Sequence, residues 1–90
     1  MDKAVLTVVG SDKVGIIAAV SKVLAENNVN IVDLSQTIMQ NIFTMIVLVD
    51  VSDSPVAFDK LAEMMKELGD SMQLKIQLQH ESIFDSMHQI

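Results

Sequence analysis

Cysteine, tryptophan, tyrosine and arginine are absent from these 90 residues, and proline occurs once. The lack of cysteine excludes disulfides, thiolate metal sites and a cysteine nucleophile. The lack of arginine removes the side chain best suited to bidentate contact with phosphate and guanine. Six basic residues, all lysine and scattered from Lys3 to Lys75, face twelve acidic ones, and the formal net charge is −6. Nucleic-acid binding draws on Lys and Arg that neutralise phosphates, so direct contact with DNA or RNA is disfavoured, as is attraction to an anionic membrane. The opening apolar run ends at Gly10, too short for a signal sequence or a membrane span. A soluble, cytoplasmic protein is expected.

What the chain does hold is aliphatic. Half of its residues are hydrophobic, yet only three are Phe and seven are Met, so branched aliphatics and methionine must fill the core. Residues 1–90 are expected to form one domain with a thin core. So large an apolar load also suggests that part of it is buried between subunits.

Lys3–Val9 is a β-branched run that reads as a strand buried on both faces. Gly10-Ser11-Asp12-Lys13 follows as a turn in which Ser11 or Asp12 could cap a helix. Over Val14–Asn28, Ile17, Val20 and Leu24, flanked by Ile16 and Val23, fall on one helical face. Asn30–Gln40 reads as a second strand, Gln40-Asn41 as a tight turn, and Ile42–Val51 as a third strand. Ser52-Asp53-Ser54-Pro55 opens a second helix, with Pro55 suited to its first position and Gly69 to its end. Between them Phe58, Leu61, Ala62, Met65 and Leu68 repeat at helical spacing, and Met72–His80 then alternates cleanly as a half-buried strand.

The order strand, helix, strand, strand, helix, strand predicts an α+β, ferredoxin-like βαββαβ fold, with a four-stranded antiparallel sheet and both helices on one face. The third strand carries Phe43, Met45, Val47 and Val49 on one side and Ile42, Ile46 and Leu48 on the other. Its helix-free side therefore needs a cover, either a second subunit or the tail Glu81–Ile90, whose Ile83, Phe84, Met87 and Ile90 would share one face of a short C-terminal helix.

Chemistry is sparse. The stretch from Gly10 to Gly15 superficially resembles a phosphate-binding loop, but Ile16-Ile17 stands where such a loop needs Lys-Ser or Lys-Thr. Gly15, at the helix start, either permits tight helix–strand packing or lets a ligand lie against free N–H groups that favour a carboxylate. His80, Glu81 and His88 lack a recognised metal-ligand spacing and read as surface groups. Asp12, Asp33 and the histidines could serve as acid and base, but nothing pairs them in sequence. No catalytic residue, metal or cofactor is assigned, and an enzyme on this scaffold ranks last.

The run Thr7–Ile17 (TVVGSDKVGII), followed by Asn30-Ile31, resembles the start of an ACT domain. Asp33–Met39, Phe43-Thr44-Met45 and the ending Gln79–His88 extend the likeness to small single-domain ACT proteins of bacteria and archaea, an uncharacterised, UPF0237-like family. These are similar to the domains of the glycine cleavage system transcriptional repressor. The resemblance implies a regulatory module that pairs with itself and binds a small molecule, an amino acid, at the interface of a homodimer, modulating a partner protein. It places the ligand on the first strand–helix loop, here Ser11, Asp12, Lys13, Val14 and Gly15, and on the start of the second strand, Asn30 and Ile31, often from the partner. Val14 stands where the family commonly has proline, and Asp12 and Gly10 where some amino-acid binders carry Asn or His. A ligand-free interaction module, docking through the apolar sheet face and the tail, is the alternative.

Overall fold

A computed structural model describes residues 2–82. Four strands and two helices alternate as β1 (Lys3–Ser11), α1 (Ile16–Glu26), β2 (Asn30–Met39), β3 (Ile42–Asp50), α2 (Phe58–Met72) and β4 (Leu74–His80). The strands form one antiparallel sheet in the order β2-β3-β1-β4. This is the expected ferredoxin-like arrangement. Of the expected tail helix Glu81–Ile90, Glu81 and Ser82 are helical, and residues 83–90 lie outside the described residues.

The core lies between the helices and one face of the sheet. Ala4, Leu6 and Val8 of β1, the alternate residues Phe43 to Val49 of β3, and Leu74, Ile76 and Leu78 of β4 point into it. From α1 come Ile16, Val20 and Leu24, spaced one turn apart, and from α2 Leu61 and Met65. Each buried Val, Leu, Ile, Met or Phe among these contributes about 1.5–3 kcal/mol by leaving water.

Helix ends depart from the expected positions. Strand β1 runs on through Gly10 to Ser11, so Ser11 belongs to the sheet and caps nothing. Asp12 does not cap α1 either: it lies three residues before the N-cap, and its backbone N–H donates to the Asn41 carbonyl at 2.8 Å. The N-cap is Gly15, in the left-handed region at φ 93°, with no side-chain hydrogen bond to the helix. Starting at Ile16 rotates the buried stripe onto Ile16, Val20 and Leu24, and leaves Ile17 exposed. Pro55 lies outside α2, whose N-cap is Ala57. Gly69 does not end α2 but sits buried inside it. A Cβ there would come within 2.6 Å of the Leu74 carbonyl oxygen, so the helix rides close on β4. The left-handed residue Gln73, at φ 58°, ends α2 instead, and Met72 is helical, not part of β4.

Gln40 and Asn41 both have positive φ (51° and 70°), the pattern of a two-residue type I′ hairpin turn. The expected turn between β2 and β3 is therefore present. Strand β1 proves buried on one face only: Val5 and Thr7 are half-buried and Val9 is exposed on the other. At the far end of β3 the Ser52 hydroxyl and amide both donate to Asp50, holding its carboxyl below the usual carboxylate range.

Candidate functional site

The β1–α1 loop, the first turn of α1 and the outer part of β2 enclose a cleft of about 360 Å³, within the range of small-molecule sites. Asp12, Lys13 and Gly15 line it from the loop, Ile17 and Ala18 from the helix, Gln36 and Ile38 from β2, with buried Phe43 adjoining. Sequence reasoning found the loop but not Ile17, Gln36 and Ile38. No local signal marks them, because only the hairpin register and the rotation of α1 bring them to the loop.

Two kinds of polar group meet in this cleft. The first intrahelical bond of α1 runs from the Ala19 N–H to the Gly15 carbonyl at 2.9 Å. The amides of Ile16, Ile17 and Ala18 therefore have no partner within the helix, and Gly15 brings no side chain to cover them. They sit at the positive end of the helix dipole, which favours a carboxylate. Asp12 supplies a negative charge in the same cleft. Lys13 is engaged elsewhere: its ammonium donates to the Met72 carbonyl at the end of α2. That contact ties the loop to the second helix and compensates a C-terminal dipole. Val14 is fully exposed.

Gly15 is explained by its backbone. A Cβ at this position would meet nothing within 4 Å, so tight helix–strand packing is not the reason for glycine. The positive φ is, since an L side chain there costs about 1–2 kcal/mol.

Asn30 and Ile31 are not beside the loop in the same chain. Asn30 pairs with Asp50, whereas Met39, at the other end of β2, pairs with Ile42, which in turn faces Ser11. Eight intervening residues of strand separate the two ends, about 30 Å. At the Asn30 end Asn28, Asn30 and Asp53 line a separate, polar depression of about 440 Å³, where the Asn28 amide donates to the Asp53 carbonyl at 3.1 Å. Every residue of β2 is exposed, and the strand forms an outer edge of the sheet. In a ladder closed by a two-residue turn, the backbone groups of Leu34, Gln36 and Ile38 point away from β3. The Leu34 N–H is held by the Asp33 carboxylate at 2.8 Å.

Among the described residues no cluster of His, Asp or Glu could hold a metal ion, and no helix is long and apolar enough to cross a membrane. His80 stacks on Phe58 with ring centroids 3.7 Å apart, and its Nδ1 lies 3.9 Å from the Asp2 carboxylate. His88 lies outside the described residues.

Known proteins agree with this architecture. The ACT domain family profile matches residues 2–79. A UPF0237 protein of Methanocaldococcus jannaschii is 49% identical over 90 residues, covering all of both chains. An ACT domain protein from Streptococcus pneumoniae superposes with a TM-score of 0.81 at 42% identity, covering 92% of this chain and 93% of that one. A protein named as a glycine cleavage system transcriptional repressor superposes at 0.77 with 24% identity, over 88% of this chain and 45% of its own, a likeness of fold. On its matched residues, its near-full-length relatives and its fold, the chain belongs to the ACT domain family of regulatory modules.

Proposed function

We propose that this protein is a sensor that binds a free amino acid in the cleft between the β1–α1 loop and β2, acts as a homodimer, and conveys occupancy to a partner protein without catalysing a reaction. The observation that carries this reading is the pairing of chemistries in one cleft. Unpartnered amides at the start of α1 suit an α-carboxylate, and Asp12 suits an ammonium group. Aliphatic Ile17 and Ile38 remain for a side chain.

The edge position of β2 supports a site shared by two copies. If a second copy pairs its β2 antiparallel to this one about the strand's middle, the partner's Asn30 and Ile31 come beside Ile38 and Met39. The residues that lie about 30 Å apart in one chain then converge across the two-fold axis. Full strand pairing requires Asp33 to release the Leu34 amide. Ser11 and Val14 adjoin the lining residues in sequence only, and Lys13 contributes by holding the loop to α2.

A thermal-shift screen against the twenty amino acids tests the reading. Ligand at about a hundred times its dissociation constant adds about 2.7 kcal/mol, which raises the midpoint of a domain of this size by about ten degrees or more. Gln36→Glu places a second carboxylate in the cleft at an exposed strand position. It should leave the ligand-free midpoint within a degree or two, while weakening binding about tenfold or more. A screen with no shift from any amino acid defeats the sensor reading. An unchanged affinity in Gln36→Glu moves the site out of this cleft.

A further inference from the structure

We infer that the free edge of β4 is a docking site for an extended, acidic segment of a partner protein, which adds to the sheet as a further strand and sets alternate apolar side chains against α2. This deepens the sensor reading, on which the existence of a partner rests, by naming the surface that meets it. The sheet has two outer strands, β2 and β4. Open edges invite pairing with another chain and are commonly blunted. Strand β2 is interrupted by a bulge between Ile31 and Asp33, and the Asp33 carboxylate occupies the Leu34 N–H. Strand β4 keeps an unbroken register with β1 from Leu74 to His80.

The register fixes which backbone groups face outward. The two-residue turn closes at Met39 and Ile42, so Phe43, Met45 and Val47 turn their backbone groups to β1, where they meet Gly10, Val8 and Leu6. Val9, Thr7 and Val5 then serve β4 through Lys75, Gln77 and Gln79. The N–H and C=O groups of Leu74, Ile76 and Leu78 therefore point away from the sheet, while their side chains are buried on the side that α2 covers. Cross-strand partners share a face, so a strand hydrogen-bonded to these three residues places its own side chains against α2. Two depressions lie there. One, of about 200 Å³, is lined by Ala62, Lys66 and residues 76–79, and the other, of about 140 Å³, by Lys66, Asp70 and residues 74–77. They are offset by two residues, the period at which a strand presents side chains to one face. In such strand addition main-chain hydrogen bonds supply affinity and the depressions select side chains.

Charge identifies the occupant. The trough gathers two of the chain's six lysines, Lys66 and Lys75, against one of its twelve acidic residues, Asp70. Lys66 borders both depressions and so stands at the middle of the trough. A second copy pairing β4 antiparallel about that middle would set Lys66 on its own counterpart, like charge against like. An acidic residue of a different chain meets Lys66 without that repulsion. The amino-acid cleft reaches this edge at one point, where Lys13 of the β1–α1 loop donates to the Met72 carbonyl, two residues before β4 begins.

Amide NMR spectra of the isotope-labelled full chain test the site. The probe is a synthetic peptide of alternating valine and threonine with one central glutamate, compared at low salt with the same peptide carrying lysine there. The glutamate peptide should shift the amides of residues 62–70 and 74–80 and bind about threefold tighter or more. Lys66→Glu, at an exposed position, should weaken the glutamate peptide about fivefold or more and reverse the preference. Only one alternate set of peptide amides faces β4, so methylating that set should abolish binding and methylating the other should spare it. Absence of shifts at residues 74–80 overturns the docking site, and equal loss on methylating either set overturns strand addition. Equal affinity of the two peptides for both proteins overturns the acidic occupant. Amino-acid thermal shifts, read without peptide, decide the sensor reading separately, so its failure is told apart from failure at β4.

Discussion

Gly10, Gly15 and Gly69 serve different ends, and residue type alone does not distinguish them. At Gly15 the demand is a positive φ, with open space where a side chain would go. At Gly69 the demand is space: the Leu74 carbonyl oxygen and the Ile76 side chain stand 2.6 and 3.0 Å from the missing Cβ. Gly69→Ala gains some helix propensity but forces α2 off β4, and overpacking of this kind costs about 1–3 kcal/mol. The thermal midpoint should fall by about 5–15 °C, and an unchanged midpoint would show that α2 does not depend on that close approach. The end of a helical pattern predicts a glycine stop, and Gly69 satisfies the pattern while doing something else. Lys13 makes the same point, since the ACT resemblance places it on the ligand whereas its ammonium reaches the end of α2 in space.

Element boundaries follow from these residues. Gly15 delays α1 until Ile16, and that delay decides that Ile16 is buried and Ile17 exposed where both border the cleft. The β2–β3 hairpin was legible because only two residues separate two apolar runs, although neither is glycine. Gln40 in the left-handed region carries a steric cost that Asn tolerates better and Gly avoids. Gln40→Asn with Asn41→Gly should therefore stabilise the protein by about 0.5–1 kcal/mol, read from urea midpoints with an unchanged slope. A lower midpoint would mean that the Asn41 side chain contributes something the turn geometry does not reveal. Strand β2 was read correctly as a strand. Its complete exposure follows from its place at a sheet edge that α2 does not cover, unlike β4, the other edge strand, against which α2 packs; no residue of β2 announces this.

For the whole molecule, both proposed contacts draw on surface that a solitary chain leaves open: the edges of β2 and β4. If the amino-acid site is completed across the β2 edge, ligand binding and self-association are thermodynamically linked, and each strengthens the other. About a hundredfold dilution of the protein should then raise the apparent dissociation constant of the ligand several-fold, measurable from thermal midpoints at a series of protein concentrations. A dissociation constant indifferent to dilution would confine the site to one chain.

By itself the sequence determined the element order, and with it the ferredoxin-like sheet. Period-2 and period-3.6 apolar patterns, as in Leu74–Leu78 and Leu61–Met65, are local properties set by backbone geometry. The resemblance of Thr7–Ile17 to ACT domains was legible for the same reason, being carried by contiguous residues. Tertiary structure decided what contiguity cannot express. It joined Gln36 and Ile38 to the β1–α1 loop, carried Asn30 to the opposite end of the sheet, and set Lys66 of α2 beside the edge of β4. Strand pairing brings together residues distant in the chain, and their register is fixed by burial of one face rather than by any local signal.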